Sequence, residues 1–279
     1  MHIAIQGALG SFHHQAAKQL EPKATSIPKQ TFADVFKAVQ NRETDYGLCA
    51  IENTLYGPIE EVYTLLNQED IWIVRDVQLQ IAQHLIGPNK VSLEELTGSN
   101  DVRVLSQAPA VAQAEHWLAL HLPKATIEIT QDTAASVQAV VALGQPHTLA
   151  IAGRLAATTY GGVIVAEGIQ DNPRNYTRFL LFCRKRQPVQ RASLGSMILK
   201  TNGQPDMLVN ALQVFTDANC SLSRLRSYPA SQASPKHIFF IDYQLPNGGS
   251  HPIIQALQKQ GCTVKLLGEY SSAPLIRAL

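Results

Sequence analysis

The sequence predicts an α/β protein that carries a smaller α+β module near its C-terminus, and three observations support this. Through the first two-thirds of the chain, short apolar runs alternate with stretches of helical periodicity, a pattern typical of a largely parallel sheet. Residues 184–192 are basic and polar around Pro188, which favours a linker. Residues 194–268 follow the order βαββαβ, the ferredoxin-like pattern. We therefore expect one domain over residues 1–184 and another over residues 193–270.

The individual elements follow from hydrophobic periodicity and from capping signals. Strands are predicted at residues 2–6, 47–51, 71–74, 102–105, 126–129, 148–151 and 163–166, and helices at 13–20, 31–39, 59–66, 108–121 and 132–143. Thr31 and Asp132 are good N-caps, and Gly144 follows the last of these helices. Pro58 suits the first turn of the helix that starts near residue 59. In the C-terminal module we expect strands at 194–200, 221–227, 237–243 and 263–268, with helices at 206–218 and 251–260.

Composition and charge exclude several classes of protein. The chain has 279 residues, 45% hydrophobic and 16% charged, as in an ordinary globular protein. A net charge of +1 gives no electrostatic reason to expect nucleic acid or an acidic membrane as a partner. The four cysteines lie far apart, which disfavours a zinc site and predicts reduced, mostly buried thiols. No signal peptide follows Met1 and the apolar runs are short, so we expect a soluble, cytoplasmic protein.

Three polar turns, each between a strand and a helix, supply the first candidate site residues. In open α/β sheets, ligands bind at the carboxyl ends of the strands. The glycine turn after the first strand offers backbone N–H groups that can bind a carboxylate. Ser106, at the start of the third turn, is the expected N-cap of the helix that follows. Each turn alone is explained as well by an ordinary capped turn, but together they predict a cleft for a small organic anion. The candidates are Gly10, Ser11, Glu52, Asn53, Thr54, Ser106 and Gln113.

A fourth polar segment, residues 168–176, runs into an apolar strand that starts with Thr177, Arg178 and Phe179. A hydroxyl, a fixed cation and an aromatic ring at such a junction suit an anionic, ring-shaped ligand. In a regular strand Thr177 and Phe179 share one face, while Arg178 points to the other. Two roles for Arg178 therefore stay open: bracing the cleft, for example through Glu52, or contacting the ligand.

On these residues the chain resembles prephenate dehydratase along nearly its whole length, in the monofunctional form without a fused chorismate mutase. The glycine turn ends in a matching His14-x-Ala16-Ala17, and residues 51–54 are similar to the family's Ile-Glu-Asn-Ser/Thr. The most specific match is the run from Ala166 to Phe179, where the family's essential catalytic threonine falls at Thr177. Further matches are Ser106 with Gln113, residues 132–136, and residues 150–152 with Tyr160-Gly161.

The resemblance implies a type-2 periplasmic-binding-protein-like catalytic domain, with the active site between two α/β lobes, and a C-terminal ACT domain, a regulatory module. The implied reaction is the decarboxylating dehydration of prephenate to phenylpyruvate in phenylalanine biosynthesis, with no cofactor and no metal. It also implies a homodimer or homotetramer, because ACT modules pair between subunits. Thr177 and Arg178 are the implied catalytic residues, and contacts with substrate are expected at Gly10, Ser11, Glu52, Asn53, Thr54, Ser106, Gln113 and Phe179.

The C-terminal module departs from the family pattern. Members that respond to phenylalanine carry Gly-Ala-Leu at the first helix and Glu-Ser-Arg-Pro after the second strand. The corresponding residues here are Gln204, Pro205, Asp206, Met207 and Leu208, and Arg226, Ser227, Tyr228 and Pro229. A carboxylate near a helix N-terminus opposes binding of a ligand carboxylate there. We therefore expect weakened, altered or absent control by an amino-acid effector. Smaller departures are Gln107 in place of a usual His and His13 in place of a usual Ser.

Three alternative functions remain open. A non-aromatising prephenate decarboxylase typically lacks the catalytic threonine, so the presence of Thr177 counts against it. Arogenate, the amino analogue of prephenate, is not distinguished from it by the sequence. A non-catalytic sensor, with the ACT module responding to a metabolite in the cleft, belongs to a different class, and Thr177 argues against that as well.

Overall fold

The computed structural model describes residues 1–201, 206–229 and 237–277. The strands are β1 His2–Gln6, β2 Thr25–Lys29, β3 Tyr46–Asn53, β4 Gly57–Pro58, β5 Trp72–Gln80, β6 His84–Gly87, β7 Arg103–Ser106, β8 Thr126–Ile129, β9 Thr148–Ala152, β10 Val163–Ala166, β11 Tyr176–Cys183, β12 Leu194–Lys200, β13 Leu222–Pro229, β14 His237–Gln244 and β15 Thr263–Ser272. The helices are α1 Phe12–Leu20, α2 Phe32–Gln40, α3 Glu60–Gln68, α4 Leu93–Gly98, α5 Ala108–Ala112, α6 Glu115–His121, α7 Thr133–Leu143, α8 Arg154–Tyr160, α9 Met207–Asp217 and α10 His251–Lys259.

The chain divides into two compact units that are not continuous in sequence. The described residues of Met1–Ile59, Val77–Phe179 and Pro274–Leu279 form the first unit. Those of Glu60–Asp76 and Leu180–Ala273 form the second. The second unit therefore takes in a helix, α3, that lies early in the chain, which no local sequence pattern indicates.

The first unit contains strands of two sheets. In one, β1 pairs in parallel with β2 and with β3, and β11 lies beside β3. The other sheet has the order β10-β6-β9-β7-β8. There β7 is parallel to β8 and β9, whereas β6 is antiparallel to β9 and β10. The predicted mixed α/β class is confirmed, and the described pairs are parallel except at β4 and β6.

Helices cover the second of these sheets on both sides, as its two apolar clusters show. One cluster joins Leu85 and Val104 to Leu96 and Leu118 of helices α4 and α6. The other joins Ile86 and Ala150 of the sheet to helices α7 and α8. Such coverage explains the nearly uninterrupted apolar sequence of β9, all of whose residues are buried.

Two predicted elements are wrong in detail. The single helix expected at 108–121 is two helices, because α5 ends at Ala112 and α6 begins at Glu115. Pro58 does not open a helix: with Gly57 it forms β4, an edge strand antiparallel to the end of β3. Proline is tolerated there because an edge strand does not need every N–H group.

The second unit confirms the predicted βαββαβ order. Its strands β13, β14, β12 and β15 form an antiparallel sheet in that order, and α9 and α10 pack on it through Met207, Phe215 and Leu257. In the same unit, Lys265 Nζ on β15 donates to the carbonyl oxygens of Leu66 at 3.0 Å and Glu69 at 2.5 Å. This cation satisfies carbonyl groups at the end of α3 that have no partner within the helix.

Candidate active site

A cavity of about 330 Å³ lies inside the first unit, at the carboxyl ends of β1 and β3 and at the amino end of β11. Its wall is completed by the N-termini of α1 and α7 and by residues along α5. Five of the predicted site residues line it: Ser11, Asn53, Gln113, Thr177 and Phe179. The other five are not among its lining residues: Gly10, Glu52, Thr54, Ser106 and Arg178. The ends of β1 and β3 at this cavity are the carboxyl ends, where ligands bind in open α/β sheets.

Thr177 is the second residue of β11, and its hydroxyl oxygen accepts a hydrogen bond from Asn53 Nδ2 at 2.9 Å. The same Nδ2 also donates to Asn175 Oδ1 at 2.8 Å. Asn53 Oδ1 accepts from the backbone N–H groups of Leu55 and Tyr56 at 2.9 and 3.1 Å. The Asn53 amide is therefore fixed in orientation from both sides, and it can only donate to Thr177.

The segment before Thr177 is attached to the end of β3 by Thr54. Its hydroxyl accepts from the Tyr176 N–H at 2.9 Å and donates to the Arg174 carbonyl at 3.2 Å. Its backbone N–H donates to the Tyr176 carbonyl at 2.9 Å. Thr54 thus positions the strand that carries Thr177, although it does not itself line the cavity.

On another wall, Gln113 ends α5 and accepts a hydrogen bond from Gln83 Nε2 at 2.9 Å. Gln83 is 2% exposed, and its Oε1 has no hydrogen-bond partner among the described residues. Tyr56 completes the group: it donates to the Pro109 carbonyl at 2.9 Å, and a hydrogen bond with Gln113 partly offsets the burial that raises the pKa of the phenol. Amides and a phenol therefore form this wall, with no ionised group.

Ser106, a predicted site residue, does not line the cavity. It is fully buried, and its hydroxyl donates to the Ile151 carbonyl of the neighbouring strand at 2.7 Å. It is not the helix cap either, because the N-cap of α5 is Gln107, which makes no side-chain cap bond. A serine at a strand end satisfied the sequence pattern, but the chain turns one residue later than expected.

The predicted carboxylate cradle also needs correction. The N–H group of Gly10 donates to His14 Nδ1 at 2.8 Å, and that of Ser11 donates to the Ala8 carbonyl at 3.2 Å. Gly10 is required by the backbone conformation, because its φ is +90° and a Cβ there would lie 2.8 Å from Ala156 Cα. Ser11 is the N-cap of α1, and its hydroxyl accepts from the His14 N–H at 3.3 Å. The donors left for a ligand are the Ser11 hydroxyl and the first N–H groups of α1.

His13, in the first turn of α1, is neutral. Its Nε2 accepts from the Ala50 N–H at 3.1 Å, and its ring meets Phe179 edge to face at a centroid distance of 5.0 Å. Burial lowers the pKa of His13 to about 3. The imidazole therefore supports the aromatic wall of the cavity and does not act as an acid near neutral pH.

Asp132 is the one acidic side chain among the described residues that line the cavity, and no lysine or arginine is among them. Its Oδ1 caps α7 by accepting from the Ala135 N–H at 2.8 Å. Its Oδ2 accepts from the Ala8 N–H at 3.1 Å. One carboxylate thus joins the glycine turn after β1 to the start of α7.

The break between α5 and α6 is held by Asp171, from the segment that precedes Thr177. The Asp171 N–H donates to the Gln113 carbonyl at 2.7 Å. Its carboxylate accepts from the N–H groups of His116 at 2.9 Å and Trp117 at 3.0 Å. The side chain that caps α6 comes from far along the chain, which is why local periodicity missed the break.

Comparisons with known proteins identify the family. A family model described as prephenate dehydratase matches residues 3–187. The chain belongs to the prephenate dehydratase family. A bifunctional chorismate mutase/prephenate dehydratase from Aquifex aeolicus is 28% identical over 98% of this chain and 74% of its own length. Arogenate dehydratase 2 from Petunia hybrida is 29% identical over 98% of this chain and 72% of its own.

Among solved structures, the prephenate dehydratase from Arthrobacter aurescens in complex with L-Phe is similar in fold. Its TM-score is 0.84 at 24% identity, over 97% of this chain and 90% of that one. The family assignment confirms the activity predicted from the sequence: the protein is a prephenate dehydratase, an enzyme of aromatic amino acid biosynthesis. The prephenate dehydratase resemblance stated from the motifs is confirmed as well.

Three further observations concern the described residues as a whole. Within the described residues, no group of three or more His, Cys, Asp or Glu side chains is placed to hold a metal ion. The helices that the structure describes include none that is long and apolar enough to cross a membrane. The four cysteines are all buried and none forms a disulfide, as predicted.

Proposed function

We propose that prephenate is converted to phenylpyruvate in the cavity beside Thr177, and that the Thr177 hydroxyl donates a hydrogen bond to the departing ring hydroxyl. The observation that carries this assignment is the direction of the Asn53–Thr177 hydrogen bond. Because Asn53 Nδ2 donates to the threonine oxygen, the threonine proton is available for another acceptor. Thr177 is 9% exposed and lines the cavity, so its proton is accessible to a ligand bound there.

The reaction needs no external electrons. The bond between the ring and its carboxylate breaks, its electron pair enters the ring, and the ring C–O bond breaks. Carbon dioxide and hydroxide leave, and solvent supplies the proton that turns hydroxide into water. A threonine is a poor acid, so Thr177 stabilises charge on the departing oxygen by donation and position, an effect of about 10²–10³-fold for one such donor.

A dianionic substrate has to be held here by neutral donors. The Ser11 hydroxyl and the first N–H groups of α1 are the donors for one carboxylate, since the helix N-terminus carries partial positive charge. The amides of Gln113 and Gln83 are the polar groups on the facing wall. Phe179, supported by His13, supplies the apolar surface for the ring. Arg178, 2% exposed and outside the lining, braces β11 in this proposal.

Arogenate is the second candidate substrate, and Asp132 favours it. Arogenate carries an ammonium group where prephenate carries a keto oxygen, and Asp132 puts a carboxylate on the cavity wall. A relative is named arogenate dehydratase 2. Comparing kcat/KM for the two substrates in the wild type and in Asp132→Asn decides the matter. A preference for arogenate that Asp132→Asn abolishes would support it, and a preference for prephenate in both proteins would exclude it.

We infer that the catalytic domain, residues 1–184, has the type-2 periplasmic-binding-protein-like architecture and that residues 193–270 form an ACT domain. The antiparallel βαββαβ module supports the second assignment. The L-Phe complex of the relative from Arthrobacter aurescens supports an amino-acid effector. Pairing of such modules between subunits makes a cytoplasmic homodimer or homotetramer the expected assembly.

The effector response is expected to differ from that of phenylalanine-controlled relatives. Arg226 is paired with Glu60 at 2.5 Å and lies over the ring of Tyr63 at 5.3 Å. Burial and the charge of Glu60 raise the pKa of Tyr228 to about 12. Asp206 is the N-cap of α9, but its side chain makes no cap hydrogen bond. Met207 is buried in the core of the second unit, and Leu208 packs against that core. Ser227 is exposed. Gln204 and Pro205 lie outside the described residues, as does the side chain of Pro229.

The experiment that tests the proposal measures phenylpyruvate released from prephenate by the purified enzyme and by two variants. Thr177→Ser keeps the hydroxyl and is expected to retain kcat within about tenfold. Thr177→Val removes the donor and is expected to lower kcat by about 10²–10³-fold. If folded Thr177→Val turned over within threefold of the wild type, the role of Thr177 would be wrong. Loss of prephenate without phenylpyruvate would favour the non-aromatising decarboxylase instead.

A further inference from the structure

A second cavity, of about 460 Å³, lies in the first unit and shares one residue, Phe12, with the cavity described above. The segment from Gln80 to His84 separates the two. Ile81 and Gln83 line the first cavity, whereas Gln80, Ala82 and His84 line the second. A volume of this size is ordinary for a site that binds a small molecule.

His84 gives the second cavity a hydrogen-bond donor. The residue is 3% exposed, and its Nδ1 accepts from the Gly168 N–H at 3.3 Å, which places the ring proton on Nε2. Burial, with the charge of Arg154, lowers the pKa of His84, so the ring is neutral. Among the described contacts, Nε2 has no acceptor. This N–H group is accessible from the cavity, so a bound anion can accept a hydrogen bond from it.

The charges around the second cavity favour an anion. Lys18 and Arg154 line it, and none of its described lining residues is acidic. Arg154 is paired with Glu167 at 2.9 Å outside the lining, which leaves Lys18 as the exposed cation at the cavity wall. Phe12, Ala82 and Leu155 supply apolar surface. We propose that this cavity is a second binding site, for a small carboxylate with an apolar body.

Phe12 couples the second site to the first. It is the first residue of α1, whose N-terminal N–H groups face prephenate in the function proposed above. Its ring is held against the N-cap of α8, since a Cβ at Gly153 would lie 2.9 Å from Phe12 Cε1. A ligand in contact with this ring shifts the start of α1 and so changes the KM for prephenate. Only this coupling rests on the proposed function, while binding itself does not.

Helix α8 offers a matched pair of variants. Thr158 and Thr159 are neighbouring exposed threonines, and each donates from its hydroxyl to the carbonyl four residues earlier. Thr158 lines the second cavity and Thr159 does not. Tryptophan at Thr158 therefore obstructs the cavity, and tryptophan at Thr159 is the control.

The probe is 3-phenylpropionate, titrated calorimetrically into the full chain, with 3-phenylpropionamide as the uncharged comparison. We expect the acid but not the amide to bind. The affinity for the acid should fall at least tenfold in Thr158→Trp and about threefold in Lys18→Gln. It should be unchanged in Thr159→Trp. Bound acid should change the KM for prephenate at least twofold in the wild type and Thr159→Trp, but not in Thr158→Trp. No binding at millimolar acid, or equal binding to both tryptophan variants, would overturn the second site. Binding without a change in KM would overturn the coupling alone.

Discussion

Replacing Asn53 with aspartate reverses one hydrogen bond at the centre of the proposed mechanism. Asn53 Nδ2 now donates to Thr177 Oγ1 at 2.9 Å and to Asn175 Oδ1 at 2.8 Å. In Asn53→Asp a carboxylate oxygen takes the place of Nδ2, and it can only accept. Thr177 then donates to that oxygen, and its proton is withdrawn from the cavity.

The structure allows the effects on rate and on stability to be separated. The other carboxylate oxygen still accepts from Leu55 and Tyr56. Asn175 Nδ2 is buried without a hydrogen-bond partner among the described residues, so rotation of that amide gives the new oxygen a donor. The free energy of unfolding should therefore change by only about 1 kcal/mol. Turnover loses one donor to the leaving oxygen and should fall about 10²–10³-fold, or about 3–4 kcal/mol in the barrier.

The assay is kcat for phenylpyruvate formation as a function of pH, with urea unfolding of each protein. Asn172→Asp is the matched control, because Asn172 is exposed in the same loop as Asn175 and its Oδ1 accepts only from the Arg174 N–H. As the pH falls and the introduced carboxyl regains its proton, kcat of Asn53→Asp should recover relative to the control. Turnover within threefold of the wild type, with both variants folded, would refute the proposed direction of the bond.

Three other predictions follow from the geometry. No lysine or arginine is among the described residues that line the cavity beside Thr177. The KM for prephenate should therefore change less than about twofold between 20 and 300 mM salt. A strong salt dependence would indicate that a cationic side chain enters the cavity on binding. Lys265→Met should cost about 2 kcal/mol in urea unfolding, since carbonyl groups at the end of α3 lose a charged donor, while the exposed Lys259→Met should be neutral. His13 has its pKa lowered to about 3, so the folded state binds fewer protons than the unfolded state and stability should fall as the pH drops from about 6.5 towards 3. His13→Gln keeps an acceptor without this titration and should lose less stability between pH 6.5 and 4.5, whereas equal losses would contradict the assignment.

The sequence predicted elements well where local signals were complete. Helix α7 has a capping aspartate, Asp132, and a glycine, Gly144, with φ of 65° at its end, and its predicted bounds differ from the observed ones by the cap alone. Strand β12 has the predicted bounds. Strand β6 was missed because it is only four residues long and directly follows the polar residue Gln83.

In the cavity, the sequence indicated Asn53, Gln113 and Thr177 because several polar turns occur together in one α/β domain and these residues match the family pattern. It did not indicate Gln83 or Asn175, both buried polar residues without a pattern around them. Their roles depend on partners 30 and 122 positions away, which no local pattern encodes. Ser106 shows the opposite error, since a residue type common in sites serves there to join two strands.

The attachment of Asp171 to the break between α5 and α6 has a consequence for the loop that follows it. Five residues separate Asp171 from Thr177. One end of this stretch is fixed at Gln113 and His116, and the other is fixed by Thr54 beside β3. One inserted residue would add up to about 3.5 Å of chain, more than these hydrogen bonds can absorb. Although its middle is exposed, this loop therefore behaves as a spacer of fixed length, and it should reject insertions that ordinary surface loops accept.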